Sequence, residues 1–167
     1  HEVFEKQNPL YPRIRSLFPE LKGRLNRTDV ARMVFQDARK RRALESLIHP
    51  YVFNRIRAQI QRGRERVVVL EIPLLFESGF DRECDYTVVV RTPAKEVFRR
   101  LQGKGFQKAE VRARWRAQMP LQKKIKRSNS LIDNSKGRNE TQRQVVQIWK
   151  KIESIERSLR KHGQRER

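Results

Sequence analysis

The sequence predicts an α/β protein: a parallel, doubly wound sheet with helices on both faces and an all-helical lobe ahead of its central strand. Three observations carry this prediction. Val67-Val68-Val69-Leu70-Glu71-Ile72 is β-branched or apolar apart from one carboxylate and is stopped by Pro73, the pattern of a strand buried on both faces. Tyr86–Val90 and Leu131–Asn134 repeat that pattern with helical segments between them, and strands alternating with helices imply parallel pairing. Residues 24–62, in contrast, hold helical signals alone.

Taken in order, residues 1–22 contain a helix remnant, a break at Pro9 and Pro12, and a short helix around Ile14–Phe18 ended by Pro19. Asn26-Arg27-Thr28-Asp29 offers N-cap residues for a helix with Val30, Met33 and Val34 on one side. Asp37 caps a second helix carrying Leu44, Leu47 and Ile48. Pro50 begins or kinks the next, whose Val52, Ile56 and Ile60 recur at helical spacing until Gly63. After the central strand, Thr92-Pro93 opens a helix to 102, ended by Gly103 and Gly105. Another helix spans roughly 108–118, and Lys123–Arg127 is a basic run. Asn139 caps the final helix, whose apolar stripe Val145, Ile148, Trp149, Ile152, Ile155 and Leu159 is assigned to the core; 161–167 is a charged tail.

Composition narrows the function classes. The 167 residues carry 40 Lys and Arg against 19 Asp and Glu, a formal charge of +21, which favours polyanions such as nucleic acid, an anionic surface or phosphate-rich small molecules. The lone Cys84 excludes an internal disulfide and a cysteine metal cluster, so a reducing cytoplasm is the economical assignment. No apolar run approaches the length of a membrane helix, and nothing fixes an oligomeric state.

Phosphoryl transfer needs donors for phosphate oxygens, cations for the charge developing on the transferred group, and a carboxylate. Ligands gather beyond the carboxyl ends of parallel strands, where Glu71 lies and where Glu77 follows the corner Leu74-Leu75-Phe76. These acids are either placed for chemistry or simply solvated. Arg99, Arg100 and Lys104 around a glycine-flanked turn form either a lid over phosphates or a solvated helix end. His49 is a packed or capping residue or a site residue. Asp133-Asn134 reads a base edge or forms an Asx-turn. No G-x-x-x-x-G-K-[ST] loop is present; around Gly103-Lys104, Phe98 stands where the first glycine is needed and Gly105 where the hydroxyl is needed.

Together, Leu25-Asn26-Arg27, Val34-Phe35, Leu44-Glu45 with Ile48-His49-Pro50, Leu70–Glu77, Arg100, Gln118-Met119-Pro120-Leu121, Lys124 and Ile132-Asp133-Asn134 resemble the dephospho-coenzyme A kinase family from His1 to about residue 155. The resemblance implies a P-loop kinase-like, three-layer α/β/α fold. Residues 1–23 would be a remnant of the N-terminal core region, 24–62 the helical acceptor-binding lobe, and 63–160 the α/β core with a lid at about 100–120.

It also implies transfer of the ATP γ-phosphoryl, with Mg2+, to the ribose 3′-hydroxyl of dephospho-CoA, the last step of coenzyme A synthesis. Arg100 and Asn134 would flank the adenine, and Lys104 would stand where the family has a phosphate-facing lid arginine. Arg27, His49, Leu74, Leu75, Phe76 and Glu77 would line the dephospho-CoA side, with Glu71 a candidate on the magnesium side. The family's lid Arg-Asp is Lys104-Gly105 here, and its Ala-Asp before the last strand is Ser128-Asn129. Its first strand, P-loop and acidic Asp-x-Asp segment would lie ahead of His1, so the 167 residues alone are expected to bind ATP poorly and not to catalyse. The alternatives are a noncatalytic basic module, derived from the kinase, that binds nucleic acid or another polyanion through a nonspecific surface, and another small-molecule kinase of the same fold.

Overall fold

The computed structural model describes residues 2–163, with side chains through residue 160. The proposed tail at 161–167 therefore lies largely outside the described residues. The chain divides into two compact units, His1–Arg64 and Glu65–Arg167.

The first unit is helical. After a 3-10 turn at Glu2–Phe4 come α1 (Tyr11–Ser16), α2 (Arg27–Gln36) and α3 (Ala38–Arg62). The sequence sets both caps: Asn26 Oδ1 accepts the Asp29 N–H at 2.9 Å, and Asp37 Oδ1 accepts the N–H groups of Arg39 and Lys40 at 2.7 and 3.2 Å. Ile14, Phe18, Leu25, Val30, Val34 and Leu44 form the buried core. Buried Asn8 ties into it, accepting from the Leu10 N–H at 2.9 Å and donating to the Tyr51 hydroxyl at 3.1 Å.

Pro50 neither starts nor ends a helix: α3 runs unbroken through it for 25 residues. Its ring forfeits one backbone hydrogen bond, but Leu47, Ile48 and Tyr51 on either side pack against the core and hold the helix across that gap. Beyond it the expected stripe is only partly covered, with Val52 and Ile60 exposed.

The second unit is α/β. It contains α4 (Leu75–Ser78), a 3-10 turn (Phe80–Glu83), β1 (Val88–Arg91), α5 (Ala94–Gln102), α6 (Lys108–Arg116), α7 (Leu121–Arg127), β2 (Ser130–Asp133) and α8 (Arg138–Gly163). The strands β1 and β2 are parallel, in the register Val88 to Ser130, Val89 to Leu131, Val90 to Ile132 and Arg91 to Asp133. A parallel pair needs a crossover, and α5 to α7 supply it. Below the pair, Asn129 Oδ1 accepts both the N–H and the hydroxyl of buried Thr87, at 2.8 and 2.9 Å. Phe76, Phe80, Val89, Val111, Ile132 and Ile148 are buried here.

Two expectations are corrected. Residues 67–72 belong to no helix or strand and pair with no strand among the described residues, and Val69 is 78% exposed. An apolar run becomes a buried strand only where neighbours accept and donate along both of its edges. The stripe of α8 is mostly not core: Ile148 is buried, while Val145, Trp149 and Leu159 are exposed. The basic run at 123–127, read from sequence only as charge, is most of helix α7.

Candidate functional site

The corner after residue 72 is built by local geometry. Pro73 and Leu74 turn the chain into the single helical turn α4, and Gly79, with φ of 77°, turns it out again. This buries Phe76 and Phe80 and places Glu77 and Asp81 on the same side of the unit as α7. Glu77 Oε1 accepts the Met119 N–H at 2.8 Å and pairs with Lys124 Nζ at 2.8 Å. Asp81 Oδ2 pairs with Arg127 Nη2 at 2.7 Å, and the Arg127 guanidinium lies 5.3 Å from the Phe76 ring centroid. Glu77 Oε2 and Asp81 Oδ1 are buried without a hydrogen-bond partner among the described residues. The corner is thus bonded to the segment returning from α6, through residues that sequence reasoning left out of the site: Asp81, Met119, Lys124 and Arg127. The spacing of Lys124 and Arg127, one helical turn apart on α7, was the available signal.

The segment expected to act as a lid comprises α5, a glycine turn and α6. Arg99 and Arg100 both bond Glu96; Arg99 uses Nε and Nη2 at 2.8 and 2.6 Å, Arg100 only Nε at 2.7 Å. The hydrogen bonds from Arg99, then those from Arg100, lower the Glu96 carboxyl to about 2. Among the described residues Arg100 thus bonds through Nε alone, whereas Arg99 engages two of its nitrogens. Lys104 is exposed in the turn that follows, beside Gly105 with φ of 85°. Stacking of Phe98 on Trp115, 6.0 Å between centroids and 6° between planes, holds α6 to α5.

Asn134 follows β2. Its N–H donates to the Arg91 carbonyl at 2.8 Å, and its Oδ1 accepts the Thr141 hydroxyl at 3.1 Å, which fixes the amide at the carboxyl end of the sheet. Asp133, one residue earlier, is lowered to about 2 by the Ser135 side chain first and the Arg91 guanidinium second. Glu71 is exposed on the unpaired segment. Among the described residues no three His, Cys, Asp or Glu side chains converge as a metal site.

In the first unit, Arg27 is exposed at the start of α2 and lines a cleft of about 330 Å³ with Phe4, Glu5, Arg24, Leu25 and Asn26. His49 does not line it; it lies within α3, half-buried, its ring 5.5 Å from that of Phe53. No helix among the described residues is long and apolar enough to cross a membrane.

Comparison with known proteins gives these parts a common origin. The family model described as dephospho-CoA kinase matches residues 1–140. A dephospho-CoA kinase of Thermus thermophilus is 40% identical over 125 residues, 73% of this chain and 62% of that protein. The Geobacillus kaustophilus dephospho-CoA kinase is 37% identical over 139 residues, 81% of this chain and 69% of the relative. A solved structure, TT1252 from Thermus thermophilus, superposes with a TM-score of 0.71 at 37% identity, covering 82% of this chain and 73% of that one. The chain thus spans just over three fifths of the length of the first of these relatives. The match runs through the Ile48-His49-Pro50 segment, the Leu74–Glu77 corner and the strand ending at Asp133, and on that continuous likeness the chain belongs to the dephospho-CoA kinase family.

Proposed function

We propose that the protein transfers the γ-phosphoryl group of ATP to the ribose 3′-hydroxyl of dephospho-CoA, the last step of coenzyme A synthesis. The observation that carries this reading is the family match over residues 1–140, which includes every motif assigned to the site. Arg100 and Asn134 are assigned to the adenine side: among the described residues the guanidinium bonds through Nε alone, and the amide is fixed by Thr141. Lys104 is assigned to the donor phosphates, where a cation offsets charge on the transferred group. Arg27, His49 and the corner Leu74, Leu75, Phe76 and Glu77 are assigned to dephospho-CoA, the cleft at Arg27 supporting a place for an anionic group.

The donor is proposed to be the magnesium complex of ATP, the ion held chiefly by the phosphates, with Glu71 the one carboxylate assigned to that side. No step is routed through the ion. A backbone cradle for the β- and γ-phosphates is not among the parts these residues supply, and the reading leaves that part to the remaining length of the relatives. Residues 24–62 act as the acceptor lobe and about 100–120 as the lid, in a cytoplasmic enzyme.

The test is ADP release coupled to appearance of coenzyme A, using the full-length protein with ATP and dephospho-CoA. Turnover with dephospho-CoA in preference to nucleosides or pantetheine supports the reading. Absence of turnover, together with nucleic-acid binding that disappears at high salt, overturns it in favour of a basic binding module.

A further inference from the structure

Helix α6 is suspended between two ends that secondary structure holds weakly. At its front, residues 103–107 turn through Gly105 at φ of 85°, where an added Cβ meets nothing within 4 Å. At its back, the N–H groups of Ala117 and Gln118 close onto Ala113 and Trp115, and Pro120 caps α7 with no N–H of its own. Trp115 stacks on Phe98 and Lys124 Nζ donates to Gln118 Oε1 at 3.5 Å, and beyond them the back end is tied down through Met119. Its N–H donates at 2.8 Å to Glu77 Oε1, 42 positions earlier, and the same oxygen takes Lys124 Nζ at 2.8 Å.

We propose that Glu77 and Lys124 are positioning residues: a latch that pins the returning end of the lid, through the Met119 amide, to the Leu74–Phe76 corner. The side chains are 19% and 12% exposed, so the pair is poorly screened, and bonds with an ionised partner are the stronger ones. Oε2 of Glu77 has no partner among the described residues, so the carboxylate's polar bonding is concentrated on this one oxygen. The geometry is repeated a turn further along α7, where Arg127 holds Asp81 and covers Phe76. Two cations three residues apart on α7 therefore meet two acids four residues apart on either side of Gly79. That spacing sets how α7, and with it Met119, sits on the corner. The latch stands on this geometry; its consequence for turnover rests on the kinase reading.

The experiment is residue-resolved amide hydrogen exchange on the full-length protein, with steady-state kinetics run in parallel. Wild type is compared with Lys124→Arg and with the double variant Glu77→Leu/Lys124→Met, which removes both charges and leaves neither one buried alone. In the double variant, exchange at Met119 and through 107–118 is expected to quicken by at least about tenfold, the scale of a lost charged hydrogen bond. Val89 and Ile132 keep wild-type protection, KM for ATP rises more than kcat falls, and Lys124→Arg behaves as wild type. Unchanged exchange at 107–119, or protection lost equally at Val89 and Ile132, overturns the latch. Absence of turnover in wild type counts against the kinase reading alone, since the exchange result does not depend on it.

Discussion

Arg91 and Asp133 stand opposite each other in the parallel register of β1 and β2 and are joined by an ion pair. The same carboxylate accepts the Ser135 N–H at 3.0 Å, and with the Ser135 side chain these bonds lower it from the ordinary 3.8 to about 2. A carboxyl group depressed by folding binds fewer protons folded than unfolded, so it favours the folded state increasingly as pH rises. This contribution is complete above about pH 4 and is lost as pH falls from there through about 2. Asp133→Asn is expected to flatten the acid dependence of stability within that window, measured as the denaturation midpoint at successive pH values. An unchanged slope contradicts the assignment.

Phe18 is fully buried among Ile14, Leu25 and Val30. Phe18→Ala leaves a cavity that this small helical core cannot refill, and a loss of about 3–5 kcal/mol is expected in chemical denaturation. Loss of helical signal from 11–62 ahead of the sheet would locate the damage.

Asn26 caps α2 through its side chain, which accepts the Asp29 N–H, while its carbonyl takes the Val30 N–H at 3.2 Å. Asn26→Ala is expected to cost about 1 kcal/mol, and Asn26→Ser clearly less, because the hydroxyl accepts the same Asp29 N–H. Equal losses in both variants would show that the cap contributes little.

Gly79 lies in the left-handed region at the end of α4, with open space where a Cβ would be. The cost of Gly79→Ala is therefore backbone strain rather than a clash, about 1–2 kcal/mol. Because the turn orients Glu77 and Asp81 towards α7, amide protection at Met119 is expected to fall as well.

In the proposed lid role Lys104 supplies a point charge, where an arginine would offer a two-pronged donor. Under the kinase reading, Lys104→Arg adds one charged hydrogen bond to phosphate and raises kcat/KM for ATP by up to about tenfold. A fall in kcat/KM would show that the turn is shaped for lysine.

Much of the site vocabulary was legible in the chain because it is local. Asn26 and Asp37 cap the helices that follow them, and Asn134 sits where β2 ends, because such roles need only residues a few positions away. The partners of Glu77 were not legible. Met119 and Lys124 lie more than forty positions away, and the one-turn spacing of Lys124 and Arg127 does not by itself name the acids they meet.

By itself the sequence determined the caps of α2 and α3, the parallel β1 and β2 strands, the α/β class and the family motifs, which follow from short-range backbone preference and apolar spacing, whereas Asn139 lies inside α8 and Pro93, not Thr92, stands at the start of α5. Only the tertiary structure decided that α3 continues through Pro50, that Val67–Ile72 pairs with no strand among the described residues, that half of the α8 stripe is exposed, and that Glu77 faces Lys124. The physical reason is that burial and pairing are properties of neighbours: an apolar residue records a preference for cover, and the rest of the fold decides whether cover is there.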